Sequence, residues 1–564
     1  MRAAHDGSGF TLHYFQLMLG SQYFQEVMAN SLNFAITVTA ACTVIAYPLA
    51  LLMSRYALPC KSVLHALLLL PLILPPFVGV LGVRQIFGYL GTINATLIQM
   101  GLIAEPIRWL GKSQYVGVII LQVVHLVPIL YLSISASLKN SQRSLEEAAA
   151  VCGASPWRVL TTITLPLSFP GWFAGSVMVF IASFTDLGTP LLFEYRHVIP
   201  VQIFNMLSDA NENRVGYSFV VFTCVVCIAL FYLARAASGR AGYSSGGRIH
   251  GSASATTLSR FTTAITLVII TSYIAITLLP HLGVFLLSIS GRWFMTALPD
   301  EITFKYYIEL FKHPLTLQSM RNSVVLSVIA TGLTVVVGFV IALRVARAES
   351  PSEKRYGALL ETLSLLPLVV PGIVFAFGYV GAFAGTWLDS RMNPFPLLVA
   401  AYLVRRSPYM VRSVSAGMSE VSKAMEDAGA TLGATPFQVA RLITIPLIRR
   451  HIIAGGLLTF VYCVLEVSDG LLLALEEKFY PVSKAMYALM ARPDGVELAS
   501  ALGVVVMVCM GCAFFMAEYL LTPRTHPPTK DRMLEPLPPT PKPPHLSRAT
   551  CDKGSRVRLV GGNH

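Results

Sequence analysis

The sequence predicts an all-α, polytopic membrane protein with about eleven transmembrane helices in two parallel repeats. Three observations carry this. Of 564 residues, 54% are hydrophobic and only 13% are charged, whereas soluble domains carry about 25% charged residues. Apolar windows of about 20 residues, the length that crosses a bilayer, recur along the chain. A polar segment returns 280 residues after its first occurrence with its spacing preserved. The mean hydropathy of +0.64 leaves more apolar side chain than a globule can bury, so the excess faces lipid. An ordinary cytosolic enzyme is excluded, as are disorder and collagen for the bulk of the chain.

In chain order the windows fall near 31–54, 63–90, 115–138, 169–192 and 216–236, and then 261–289, 321–344, 359–384, 395–415, 452–475 and 499–521. Pro71, Pro75, Pro367 and Pro371 are expected to kink the spans that hold them. The expected organisation is an extracytoplasmic segment over 1–30 and a first domain of about five spans over 31–236, followed by a cytoplasmic linker over 237–260. A second domain of about six spans over 261–521 and a disordered, basic, Pro-rich cytoplasmic tail over 522–564 complete it.

With 42 Lys and Arg against 29 Asp and Glu, the formal charge is +13. In a soluble protein that balance points to nucleic acid; here it reports topology, with the lipid bilayer and no nucleic acid as partner. If the spans alternate, Arg55 and Lys61, Arg235 through Arg260, Arg344 through Arg355, and Arg441 with Arg449 and Arg450 share one side. That side is the cytoplasm. The nine cysteines include two CxxC spacings, Cys224/Cys227 and Cys509/Cys512. Neither has a His or second Cys pair nearby, so these read as small packing residues and no metal site is expected.

The repeat is the most informative feature. Glu146-Glu147-Ala148-Ala149-Ala150-Val151-Cys152-Gly153-Ala154-Ser155-Pro156 returns as Glu426-Asp427-Ala428-Gly429-Ala430-Thr431-Leu432-Gly433-Ala434-Thr435-Pro436. Ile163, Leu165 and Pro166 match Ile443, Ile445 and Pro446 at the same offset, and Leu70-Pro71 with Pro75 matches Leu366-Pro367 with Pro371. Both copies lie on the cytoplasmic side, so the repeats are parallel. Upstream, Thr11 through Ser31 resembles Thr303 through Ser323 at an offset of 292. The second of these stretches follows a span and the first does not. Either five plus six spans suffice, or the true start lies upstream of the one given.

Each polar segment carries the signals of two short helices. Ser144-x-x-Glu147 reads as a capping box, Gly153 as a left-handed C-terminal residue, and Ser155-Pro156 as a new N-cap with proline at the first helical position. Gly433, Thr435 and Pro436 repeat this. The product is a rigid elbow between spans, suited to act as a lever.

The pattern Glu147-Ala148-Ala149, then Gly153, Ile163, Leu165 and Pro166, resembles the EAA loop of the inner-membrane permease subunits of ABC importers. The second copy departs from it at Asp427, Gly429 and Ile445. The resemblance spans nearly the whole chain as two fused permease domains, and it implies a type I importer of the inner membrane that is not itself an enzyme. It also implies that Glu146, Glu147, Ala148, Ala149, Gly153 and Pro156, with Glu426, Asp427, Ala428, Gly429, Gly433 and Pro436, form two loops that couple to separate ATPase subunits. A soluble extracytoplasmic binding protein would deliver substrate. No G-x-x-x-x-G-K-[ST] loop is present, so the chain is expected to hold no cofactor of its own, ATP being bound by the partner subunit.

Asp186 and Glu466 sit within spans, 280 residues apart. Either they face one another across a path for a cation, or each accepts hydrogen bonds that stabilise helix packing. The surrounding segments resemble permeases of the ferric-iron group; phosphonate, thiamine, polyamine and sulfate permeases are the alternatives. A secondary transporter is the more distant reading, because such proteins usually show inverted repeats. A membrane enzyme would want a motif such as H-E-x-x-H, and none occurs.

Overall fold

The computed structural model describes residues 5–6, 9–10, 12–73, 75–140, 143–206, 214–242, 259–368, 370–492 and 495–521. The first repeat holds α1 (Gln22–Arg55), α2 (Lys61–Ile73), α3 (Pro76–Phe87), α4 (Tyr115–Asn140), α5 (Arg143–Val151), α6 (Leu165–Thr185) and α7 (Arg214–Gly242). The second holds α8 (Arg260–Ser288), α9 (Pro314–Ala346), α10 (Pro351–Leu365), α11 (Gly372–Phe383), α12 (Phe395–Glu420), α13 (Lys423–Thr431), α14 (Ile445–Val464) and α15 (Gly495–Leu521). Strands are confined, among the described residues, to two short antiparallel pairs, one of which joins Ser290–Arg292 to Glu301–Ile302.

Nine helical segments among the described residues are long and apolar enough to cross a membrane unaided. The expected spans at 359–384 and 395–415 are not among them, for different reasons. The first is broken into α10 and α11 around Pro371, and α11 has 12 residues, about 18 Å of helix. The second is α12, whose 26 residues include Arg405, Arg406 and Arg412 and so fall below the hydropathy of a lipid-facing span. The expected span at 63–90 likewise divides into α2 and α3. Pro75 and Pro371 each immediately precede a new helix, which starts at Pro76 or Gly372, whereas Pro71 lies inside α2 and Pro367 in a 3-10 turn over Leu366–Leu368.

Two expected boundaries shift. Residues 22–30 belong to α1, capped by the Ser21 hydroxyl, which accepts a hydrogen bond from the Phe24 amide, so the first long helix begins before the expected start at 31. Helix α7 runs on to Gly242, past the expected linker boundary, and residues 243–258 and the tail beyond Leu521 lie outside the described residues. Cys227 is buried in α7, whereas Cys509 and Cys512 face outward from α15 instead of packing.

Within each repeat three helices form the centre: α1, α4 and α6 in the first, α9, α12 and α14 in the second. Small residues let them approach closely. A Cβ on Gly175 would come within 2.8 Å of Ser133 Cβ, and one on Gly455 within 2.7 Å of Ser413 Cβ. Beside these glycines Ser133 Oγ donates to the Gly171 carbonyl and Ser413 Oγ to that of His451, each at 2.7 Å. Such hydroxyl bridges stabilise helix pairs where no water is available. On the opposite side, Ser31 accepts from the Ile199 amide and Ser323 from that of Val482, both at 2.8 Å.

Helix α8 is second in the chain order of repeats yet packs against α3 of the first, and also against α15. A Cβ on Gly82 would lie 1.7 Å from the Pro280 carbonyl oxygen, so only glycine permits this crossing. Gly82→Ala is therefore expected to destabilise the fold by about 1–3 kcal/mol, read as a lower thermal aggregation midpoint in detergent. Gly332→Ala, where a Cβ meets nothing within 4 Å, is the control expected to melt like the parent.

Candidate functional site

The two elbows fold alike. Gly153 and Gly433 adopt φ of +81° and +88°, the left-handed conformation that ends α5 and α13. Ser155 and Thr435 then cap the short helices Pro156–Val159 and Pro436–Val439, with proline at the first helical position. Thr435 and Gln438 complete a capping box that the sequence reading did not identify. The one expected at Ser144 does not form, since α5 already includes Arg143 and places Ser144 inside the helix.

The Glu146-Glu147 pair divides. Glu147 is exposed, while Glu146 is buried. Glu146 forms an ion pair with Arg55 at the end of α1 and accepts a 2.8 Å hydrogen bond from the Thr164 hydroxyl. In the second elbow Asp427 is exposed, and Glu426 pairs with Arg347 at 2.7 Å and accepts from the Thr444 hydroxyl at 2.7 Å. Both threonines sit in widened π turns, Leu160–Thr164 and Ala440–Thr444, that lead into α6 and α14. Each clamp thus joins the end of one membrane helix, the elbow and the start of another. The arginines were missed because they lie 91 and 79 residues from their partners; the shared 292-residue offset of Arg55 and Arg347 was the available signal.

Other elbow positions show where the two copies differ and where they agree. A Cβ on Gly429 would lie 2.6 Å from Cδ1 at the flexible tip of Ile443, and the first copy has Ala149 and Ile163 at the same two positions. Ala148 and Ala428 are exposed on the same elbows. Pro156 and Pro436, also exposed, set the turn between the two short helices.

Asp186 and Glu466 each sit at a break after a membrane helix. Asp186 accepts from the Thr189 amide at 3.0 Å and from Gln122 Nε2 at 2.5 Å. Glu466 accepts from the Ser468 amide at 3.1 Å and pairs with Arg405 at 2.6 Å and with Arg406. Arg405 also reaches Asp469 at 2.9 Å. The two breaks approach each other, since a Cβ on Gly188 would lie 3.3 Å from Val467 Cγ1. Each carboxylate is engaged by residues of its own repeat. Arg405, near the middle of α12, thus lies half-buried between two carboxylates. Among the described residues no group of three His, Cys, Asp or Glu side chains could hold a metal ion.

Residues 46–241 and 334–526 both match the family described as the binding-protein-dependent transport system inner membrane component. The chain belongs to that family. This permease is 25% identical over 480 residues, 82% of its own length and 72% of the relative's, to the putative ferric transport system permease protein FbpB 1 of Haemophilus influenzae. It is 24% identical over 530 residues, 92% of its length and 74% of the relative's, to the ferric transport system permease protein FbpB of Actinobacillus pleuropneumoniae. A shorter match, 31% identical over 172 residues, covers 30% of the permease and 62% of the spermidine/putrescine transport system permease protein PotB of Escherichia coli. It is a multi-pass inner-membrane protein built from two family repeats.

Removing one member of a buried ion pair strands the other. Glu146→Ala is expected to cost about 3 kcal/mol, read as a lowered thermal aggregation midpoint of the purified permease. The double variant Arg55→Met with Glu146→Leu is expected to recover most of that loss.

Proposed function

We propose that this permease forms the import path for ferric iron and is driven by separate ATPase subunits that receive its two elbows. The observation that carries the coupling half is a matched pair of apolar surfaces. Trp157 is 72% exposed and its repeat equivalent Phe437 is 73% exposed, while Val151 and Leu432 are 88% and 89% exposed. These side chains stand on polar cytoplasmic loops, away from the lipid-facing helices. Large aromatic and aliphatic groups presented in that way fit a groove on a partner. Glu147 and Asp427 lie exposed on the same elbows, so the docking face combines apolar anchors with one carboxylate per copy.

The clamps supply the mechanical link. An elbow displaced by its ATPase moves Glu146 or Glu426, and the half-buried arginine and buried threonine carry that displacement to α1 and α6, or to α9 and α14. ATP binding and hydrolysis belong to the partner, and a soluble extracytoplasmic protein delivers the cargo. Iron as that cargo is supported by the two ferric transport relatives, whose likeness extends over most of the chain.

Substituting Gly153 and Gly433 together by valine forces a left-handed conformation that costs a side-chain-bearing residue about 1–2 kcal/mol. Uptake of radiolabelled ferric iron into proteoliposomes is expected to fall to background while the amount of inserted permease is unchanged. Trp157→Ser with Phe437→Ser is expected to stop the ATPase co-purifying. Iron uptake that persists without any ATPase overturns the reading.

A further inference from the structure

The face opposite the elbows carries a pocket of about 520 Å³, lined by Arg84, Tyr89, Arg108 and Lys112 from the first repeat and by Trp293 and Phe294 from the second. It lies beyond the ends of α3 and α8, the extracytoplasmic side by the charge bias of the loops. Its lining contains three cations and no carboxylate. Arg84 reaches the exposed Glu194 at 3.2 Å. Among the described residues no carboxylate pairs with Arg108 or Lys112.

The pocket is held in shape before anything occupies it. Asn94, fully buried, donates from Nδ2 to the carbonyls of Gly88, Tyr89 and Ile107 at 3.3, 3.0 and 2.7 Å. Its Oδ1 accepts from the Ile107 amide at 3.0 Å and from Trp109 Nε1 at 2.9 Å. One side chain therefore staples the two limbs of the loop together. In consequence the Arg108 guanidinium stands 5.4 Å from the centre of the Tyr89 ring, which fixes its position by cation–π attraction. At the corresponding corner of the second repeat Arg391 is already paired with Asp389 at 2.6 Å.

We infer that this pocket receives a carboxylate-bearing loop of the soluble protein that delivers the cargo, an inference that rests on the importer reading above. Unpaired cations beside exposed aromatic rings are the side chains that anchor protein interfaces. Because Arg108 comes from one repeat and Trp293 from the other, an occupant that touches both binds one relative arrangement of the repeats better than any other. Docking outside is thereby sensitive to the state of the gate.

The test uses the permease with its ATPase in nanodiscs and the purified soluble binding protein as probe. The readout is ATPase stimulation as a function of binding-protein concentration. Arg108→Glu with Lys112→Glu is expected to raise the half-saturating concentration at least about ten-fold with the maximal rate retained, and to flatten its dependence on salt. The Gln/Gln double variant should fall between. An unchanged half-saturating concentration overturns the pocket assignment, and so does binding of inorganic phosphate to the permease alone that the double variant abolishes. If the parent complex shows no stimulation at all, it is the importer reading that fails.

Discussion

The structure depends on a carboxylate that has left water. Glu146 and Glu426 are buried at the bases of their elbows, and an isolated ion there would be unstable by several kcal/mol. Each is stabilised by an arginine at the C-terminal end of α1 or α9 and a threonine from the turn that leads into the helix after the elbow. The two partners are brought within reach by packing of α1 on α6 and of α9 on α14. Charge neutralisation thus requires three distant segments to converge, and the elbow acquires a defined position relative to the bilayer. A polar loop without such a clamp would swing independently of the helices it joins.

Around that shared framework the repeats have diverged electrically. In the first, Asp186 is held by an amide and a hydroxyl-bearing turn, with Gln122 and Thr189 as neighbours. In the second, the equivalent cluster contains Arg405, Arg406, Glu466 and Asp469. Both are closed arrangements in which opposite charges or dipoles face one another. The extracytoplasmic corners have diverged in the reverse sense, with unpaired cations in the first repeat and a closed pair in the second.

Much of this was legible in the sequence where the cause is local. Gly153 and Gly433 announce a left-handed residue, Ser155-Pro156 and Thr435-Pro436 announce a helix start, and the apolar windows locate the spans. What escaped depends on contacts between residues far apart in the chain. Nothing in Glu146-Glu147 says which carboxylate is buried, since Arg55 decides it. Ser144 has the composition of a cap but lies within a helix. The arginines of α12 pair with Glu466 and Asp469, which lie about sixty residues further along the chain. The breaks at Pro75 and Pro371 had a visible cause, yet whether a proline bends a helix or ends it is decided by what packs on either side.

The widened turns at Leu160–Thr164 and Ala440–Thr444 each accommodate one residue more than an α-helical turn holds. An inserted residue rotates everything downstream by about 100°. The whole of α6 and of α14 is therefore set to an azimuth that an uninterrupted spiral would not reach, and it is this phase offset that turns a threonine toward acid at one end while keeping Gly175 and Gly455 against serine further along. The bulges work as vernier adjustments, letting a single rod satisfy two facing requirements that a regular pitch would leave out of register.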